Sequence, residues 1–271
     1  MHAPAQKIIP PETLLLAYRS GIFPMADSRD DPEVFWVEPR LRAILPLDGF
    51  HCSRSLAKVI RQDRFIVTCN EAFDEVLAAC AAPRPGRTES WISERIAASY
   101  RVLHLAGHAH SIECWLPDGE DGAGGGRELV GGLYGVGFER VFCGESMFSR
   151  TRDSSKVAMA WLVALLRRAG AQLLDCQFLT EHLASLGAVE IPQARYLELL
   201  ADACKPGPIA DLPAAYCALR AEAEGLAAGD GVAVGEALAE GGRAAAAARS
   251  SEGSGASSPG KLIAQSLTHT S

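Results

Sequence analysis

The sequence lacks most of the features that would announce a function at first sight. Lys and Arg number 26 against 33 Asp and Glu, a formal net charge of −7, so bulk charge alone does not make this a nucleic-acid-coating protein. There is no run of about 18 apolar residues and no charged stretch leading into an apolar one at the start. A cytoplasmic protein with no membrane association is expected. Eight cysteines are present, but they stand singly at 52, 69, 80, 114, 143, 176, 204 and 217, and no two form a CxxC pair. That spacing offers no zinc knuckle and reads as buried free thiols in a reducing compartment. His104, His108 and His110 have no carboxylate or thiol at ligand spacing, so capping and core roles are expected and no metal. The glycines of 117–127 fit neither GxxxxGK[ST] nor a strand–GxGxxG–helix phosphate cradle and read as a flexible hairpin loop.

With 48% hydrophobic residues in 271, the chain can bury one substantial core and a smaller second one. In order, a helix opens at PPET (10–13) and stops at Gly21. An apolar turn, 22–25, precedes a polar loop and short strands at 34–37 and 43–47. Helices are predicted at 56–62 behind a Ser53 cap, at 70–80, and at 94–106 after WIS (91–93), with a strand at 65–69 between the first two. A strand follows at 110–116. The aromatics around Trp36 could form a base-stacking platform or pack a small lobe.

The densest stretch is 129–177. Two apolar strands, 129–136 and 139–147, meet at a Gly-rich turn. A polar segment, 149–155, leads into an apolar helix ending near Arg168, and a buried-type strand, 173–177, follows Gly170. Glu145 and Asp175 lie near strand ends within this stretch. Two local clusters offset the acidic balance: Arg54, Lys58, Arg61 and Arg64, then Arg150, Arg152, Lys156, Arg167 and Arg168. They are either solvated helix faces or a phosphate-binding surface. Short helical pieces close the domain at 180–186 and 196–200. Beyond KPGP (205–208) the composition turns to Ala, Gly and Ser, with too few large apolar residues for a core. The tail, 205–271, is therefore expected to be weakly helical and then disordered, with no catalytic part.

The element order predicts an α/β (mixed α+β) fold: a mixed, largely antiparallel sheet flanked by helices, with a small N-terminal domain. The expected division is 1–42, 43–204 and the tail. Such an order suits an N-acyltransferase-type domain.

The motifs then carry a specific resemblance. GIFPM (21–25), FHCSRSL (50–56), WIS (91–93), AHSIECW (109–115), ELVGGLYGV (128–136), FCGESMFSR (142–150), SK (155–156), LLDCQFLTEHLASLGA (173–188) and IP (191–192) together resemble the leucyl/phenylalanyl-tRNA–protein transferase family, collinearly over about residues 12–200. The resemblance implies a GNAT-like acyltransferase domain that uses no acetyl-CoA. SRTRD (149–153) stands where acetyl-CoA users carry a Q/R-x-x-G-x-G loop. It implies transfer of Leu or Phe, less often Met, from aminoacyl-tRNA to the α-amine of proteins beginning with Lys or Arg. The new N-terminus is a degron for regulated proteolysis. No cofactor is implied, and nothing demands more than a monomer.

The same resemblance implies the site. Asp175 and Gln177 alternate along one strand, so their side chains share a face, and the matching family pair orients or deprotonates the amine. Glu145 matches a residue of the donor pocket suited to hold an ammonium group. Leu133, Met147, Leu162, Leu166 and Leu174 match an apolar pocket for the donor side chain. Trp91 matches an aromatic that stacks on the terminal adenosine. Met25 stands where relatives carry the second stacking Trp, and Val37 replaces another Trp. An ester donor and an amine that is partly neutral near pH 7–8 require little general-base help, so orientation and oxyanion stabilisation should dominate. The competing readings are a coenzyme A-dependent acetyltransferase, a non-catalytic tRNA- or peptide-binding module, and a Cys176–His182 nucleophilic pair, which lacks an orienting third group.

Overall fold

The computed structural model describes residues 8–83, 89–117, 126–229 and 258–268. Helix α1 (Pro11–Arg19) begins with a proline in its first turn, where the missing N–H is not needed, and buries Leu14, Leu15, Ala17 and Tyr18. Gly21 follows at φ +79°, and a Cβ there would come within 2.8 Å of the Leu197 side chain. Strands β1 (Phe23–Met25) and β2 (Phe35–Val37) pair antiparallel, with Met25 opposite Phe35. The apolar turn expected at 22–25 is thus half of a hairpin. Three residues are too few for a period-2 signal.

The larger unit runs through β3 (Leu41–Ile44), α2 (Arg54–Arg61), β4 (Ile66–Cys69), α3 (Phe73–Ala81), α4 (Glu94–Leu105) and β5 (Ala109–Pro117). It continues through β6 (Arg127–Phe138), β7 (Val141–Ser149), α5 (Ser154–Arg168), β8 (Leu173–Gln177) and α6 (Glu181–Ser185). Strand β9 (Val189–Pro192) and helices α7 (Gln193–Ala203), α8 (Leu212–Gly229) and α9 (Pro259–Thr268) complete it. Side-chain oxygens of Ser53, Ser93 and Thr180 accept the first orphan N–H groups of α2, α4 and α6, which fixes where those helices start.

Seven strands form one sheet in the order β4-β5-β6-β7-β8-β3-β9. Neighbours are antiparallel except β7 and β8, which run parallel. A parallel pair needs a crossover, and α5 supplies it. This is the mixed, largely antiparallel sheet with flanking helices that the element order predicts. Strand β3 belongs to this sheet and spans the expected 42/43 boundary, so the hairpin unit hands over directly to the large sheet.

Each face of the sheet carries its own apolar layer. On one, α5 is buried at every position from 157 to 166 and is covered by α2, α8 and α9. A helix apolar all round needs such cover on both sides. On the other, α1, α3, α4 and α7 pack against the reverse faces of the same strands.

The tail departs from expectation. Ile263, Ala264 and Leu267 of α9, with Leu212, Ala215 and Leu219 of α8, join the layer around α5. The Gly260 N–H donates to Asp63 Oδ1 at 2.8 Å, and Arg167 Nη1 donates to the Ser266 carbonyl at 2.8 Å. A short apolar face inside an Ala/Gly/Ser-rich stretch has little periodic signal; docking on α2 and α5 stabilises it. The Gly-rich loop and the low-complexity part of the tail fall at 118–125 and 230–257, outside the described residues.

Candidate active site

A cavity of about 570 Å³ opens where β6, β7 and β8 meet the first turns of α5 and the β1–β2 hairpin. Leu133, Met147, Met159, Leu162 and Leu183 form an apolar wall. Tyr134, Glu145 and Gln177 form a polar one, and Met25, Trp91 and Phe178 also line it, with Phe178 46% exposed. The volume lies within the usual range for small-molecule pockets, about 300–1,000 Å³.

Glu145 owes its position to a β-bulge. Gly144 pairs with Gly135 and Ser146 with Tyr134, which leaves Glu145 as the extra residue of β7. Gly135 is required there, since a Cβ would lie 2.3 Å from the Cys143 carbonyl. The Glu145 carboxylate accepts hydrogen bonds from Tyr18 Oη at 2.7 Å, Tyr100 Oη at 2.8 Å and Gln177 Nε2 at 3.0 Å. Burial pushes its pKa up to about 7; the three donors pull it down, and the charge of Asp175 adds to the rise. Burial first, and then Glu145 itself, keep the hydroxyls of Tyr18 and Tyr100 protonated.

Asp175 is placed differently. It is fully buried, does not line the cavity, and meets Arg42 at two points: Nε to Oδ1 at 2.9 Å and Nη2 to Oδ2 at 2.6 Å. Tyr196 Oη donates to Oδ2 at 3.0 Å, and the backbone N–H of Gln177 donates to Oδ1 at 2.8 Å. The Arg42 guanidinium lies between the rings of Phe23 and Tyr196, at 4.6 and 4.5 Å from their centroids. Burial works against its charge, but Asp175 more than compensates and raises its pKa. Gln177 takes φ +62°, a strained setting for a side-chain-bearing residue. The bond from its N–H to Asp175 holds that turn and aims its amide at Glu145.

The remaining residues singled out from sequence divide into two groups. Leu133, Met147, Leu162, Met25 and Trp91 line the cavity, and the Ala26 N–H ties the hairpin to the Trp91 carbonyl at 3.2 Å. Leu166 and Leu174, each 1% exposed, lie in the layer around α5 and do not reach the cavity. Their apolar character is that of core leucines. Cys176 and His182 both line the cavity. Burial, then Asp175, raises the thiol's pKa, and burial, then Lys156, lowers that of the imidazole. His182 Nε2 has no hydrogen-bond partner among the described residues, so that ring nitrogen is not bonded to the thiol.

Tyr18, Tyr100, Arg42 and Tyr196 carry no motif of their own, and Tyr134 stands inside ELVGGLYGV with nothing in the string to mark it off. Tyr18 and Tyr100 read as ordinary apolar positions of α1 and α4, and the one available signal was their helical register with buried neighbours. Among the described residues no group of three or more His, Cys, Asp or Glu is placed to hold a metal, and no helix is long and apolar enough to cross a membrane. His104 Nδ1 lies 2.7 Å from the Ala109 carbonyl and its ring stacks on Phe73, while His110 pairs with Asn70.

Residues 44–201 match the family model described as leucyl/phenylalanyl-tRNA protein transferase, and residues 8–40 match that of its N-terminal domain. A leucyl/phenylalanyl-tRNA–protein transferase of Novosphingobium aromaticivorans is 66% identical over 264 residues, 97% of either chain. One from Rhizorhabdus wittichii is 58% identical over 194 residues, covering 72% of this chain and 75% of its own. One from Zymomonas mobilis is 55% identical over 196 residues, covering 72% and 70%. A solved structure titled "Crystal structure of FemX" superposes on 58% of this chain and 60% of its own, at TM-score 0.45 and 13% identity.

Proposed function

This chain belongs to the leucyl/phenylalanyl-tRNA–protein transferase family, and we propose that it moves Leu or Phe, less often Met, from aminoacyl-tRNA to the N-terminal α-amine of proteins beginning with Lys or Arg. Membership makes it an aminoacyltransferase with aminoacyl-tRNA and protein substrates. The acceptor rule, the use of Met, the creation of an N-degron and a cytoplasmic setting are the finer parts of the proposal. The observation that carries it is the buried Glu145 carboxylate, poised near pH 7, beside an apolar pocket sized for a donor side chain.

The donor side chain enters between Leu133, Met147 and Leu162. The terminal adenosine rests on Trp91, with Met25 as a softer second face. Basic side chains of α2 and of the α5 entry, Arg54, Lys58, Arg61 and Arg152, meet backbone phosphates, so affinity for tRNA falls with salt. Glu145 attracts the cationic side chain of the acceptor's first residue and takes a proton from its neutral α-amine as that amine attacks. The attacking nitrogen forms the new bond to the acyl carbon while the carbonyl electron pair moves onto oxygen. When that oxygen reforms the carbonyl, the bond to the terminal ribose oxygen breaks. The ribose oxygen leaves with the proton that Glu145 had taken. Gln177 orients the carboxylate, and Asp175 acts through Gln177 and Arg42 as a positioning residue.

The test is transfer of radiolabelled Leu and Phe from charged tRNA to two peptides, one starting with Arg and one with Ala, with acetyl-CoA as a control donor. Label on the Arg peptide alone supports donor and acceptor rules together. Equal labelling of both peptides contradicts the acceptor rule, and acetyl transfer in place of aminoacyl transfer contradicts the donor.

A further inference from the structure

Tyr134 is fully buried, lines the cavity, and has a hydroxyl with no hydrogen-bond partner among the described residues. A buried polar atom left in that state costs free energy, so native structures rarely keep one without a reason. Its surroundings sharpen the question. Tyr18, Tyr100 and Gln177 all direct donors at Glu145, whereas Tyr134, on the neighbouring strand beside the bulge, directs none. Its ring is locked edge-on against Tyr100 and Phe73, at centroid distances of 5.5 and 5.9 Å. Burial first, and then the charge of Glu145, keep its hydroxyl protonated. It is a rigid, dry O–H donor, closed off from solvent, on a residue that lines the transfer cavity.

We propose that the Tyr134 hydroxyl donates to the acyl carbonyl oxygen of the donor ester as that oxygen gains charge during attack by the amine. The inference rests on the aminoacyl-transfer reading of this site. In that reaction the amine becomes cationic and belongs beside Glu145, while the carbonyl oxygen becomes anionic and needs a donor that is not already committed. Gln177 has one N–H bound to Glu145, so its amide is tethered to the carboxylate. Tyr134 carries no such tether. Preorganised donors of this kind act mainly on the transition state, because the oxygen they serve is weakly basic in the ground state.

The test is Tyr134→Phe, which removes one oxygen and keeps the ring packing. Wild type and variant are compared for transfer from phenylalanyl-tRNA to an Arg-starting peptide, for affinity toward a non-reactive amide-linked phenylalanyl-adenosine, and for thermal unfolding. We expect kcat to fall about 100- to 1,000-fold. KM for donor and acceptor, and affinity for the analogue, stay within about twofold. The melting temperature is unchanged or higher, since no internal hydrogen bond is lost. A variant that transfers within twofold of wild type overturns the proposal and leaves the aminoacyl-transfer reading standing. So does a loss of rate that follows a fall in melting temperature. A wild type that transfers no aminoacyl group at all removes that reading and this proposal with it.

Discussion

Arg42 and Asp175 meet at two points in a fully buried ion pair, 2.9 and 2.6 Å apart, with exposures of 1% and 0%. Asp175 is therefore committed to Arg42, Tyr196 and the Gln177 backbone before any substrate arrives. Breaking such a pair strands a buried charge, at about 3–5 kcal/mol. Asp175→Asn and Arg42→Met are each expected to lose stability of that order in urea unfolding, and to lose transfer activity in step with one another. Normal stability with abolished transfer in Asp175→Asn alone would instead make Asp175 a catalytic group.

Glu145 gives stability a definite pH sign. Its pKa rises from 4.5 in the ordinary carboxylic range to about 7 in the fold. Between those values the folded chain keeps a proton that the unfolded chain has released, so stability from this group falls as pH rises through that window. Its favourable contribution is complete below 4.5 and lost above 7. Unfolding of wild type at pH 5 and pH 8 is expected to differ more than that of Glu145→Gln. Equal pH dependence in the two would mean that Glu145 ionises as an exposed carboxylate does.

The sequence motifs reach the cavity but not the framework that arms it. Glu145 and Gln177 were legible because strings such as GES and DCQ are specific, and Met25, Trp91, Leu133 and Met147 because they stand inside quoted motifs; Leu162 stands outside every motif and rests on the family match alone. Leu166 and Leu174 were assigned to the same pocket because an apolar residue at a pocket position and one in the core read alike. The two-tyrosine clamp on Glu145 joins positions 18, 100 and 145, and no local pattern links α1, α4 and a bulged strand. The bulge depends on Gly135 meeting the Cys143 carbonyl, a tertiary fact. Arg42 lies outside the strand predicted at 43–47 and gives no signal of its own, because its burial depends on Asp175, Phe23 and Tyr196 arriving from elsewhere. Helix α9 was hidden by its composition, since its stability comes from what it packs against.

The division within the apolar set is testable. Leu162→Phe narrows the cavity and is expected to shift the Leu-to-Phe donor ratio towards Leu, on the scale of about 1–3 kcal/mol for small changes in an apolar pocket. Leu166→Ala and Leu174→Ala are expected to cost about 2–5 kcal/mol of stability and leave that ratio unchanged. Competition between the two charged tRNAs reads the ratio. A ratio altered by Leu166→Ala at unchanged stability would return that residue to the pocket.

Helix α9 sits so close to α2 that a Cβ on Gly260 would lie 2.0 Å from the Ile60 carbonyl. Gly260→Ala is therefore expected to displace α9 and expose Ile263 and Leu267, each worth about 1.5–3 kcal/mol when buried. A lower melting temperature with kcat near wild type is the expected pattern. An unchanged melting temperature would show that α9 adds nothing to the fold.

The most direct test of the account is the rate of radiolabelled Leu transfer from leucyl-tRNA to an Arg-starting peptide, followed from pH 5.5 to 8.5 in wild type and Glu145→Gln. The account expects the wild-type rate to rise with a midpoint near 7, set by Glu145. It expects the variant to be slow and to lose that midpoint. A variant as fast as wild type, with the same pH profile, would contradict it and move the chemistry away from Glu145.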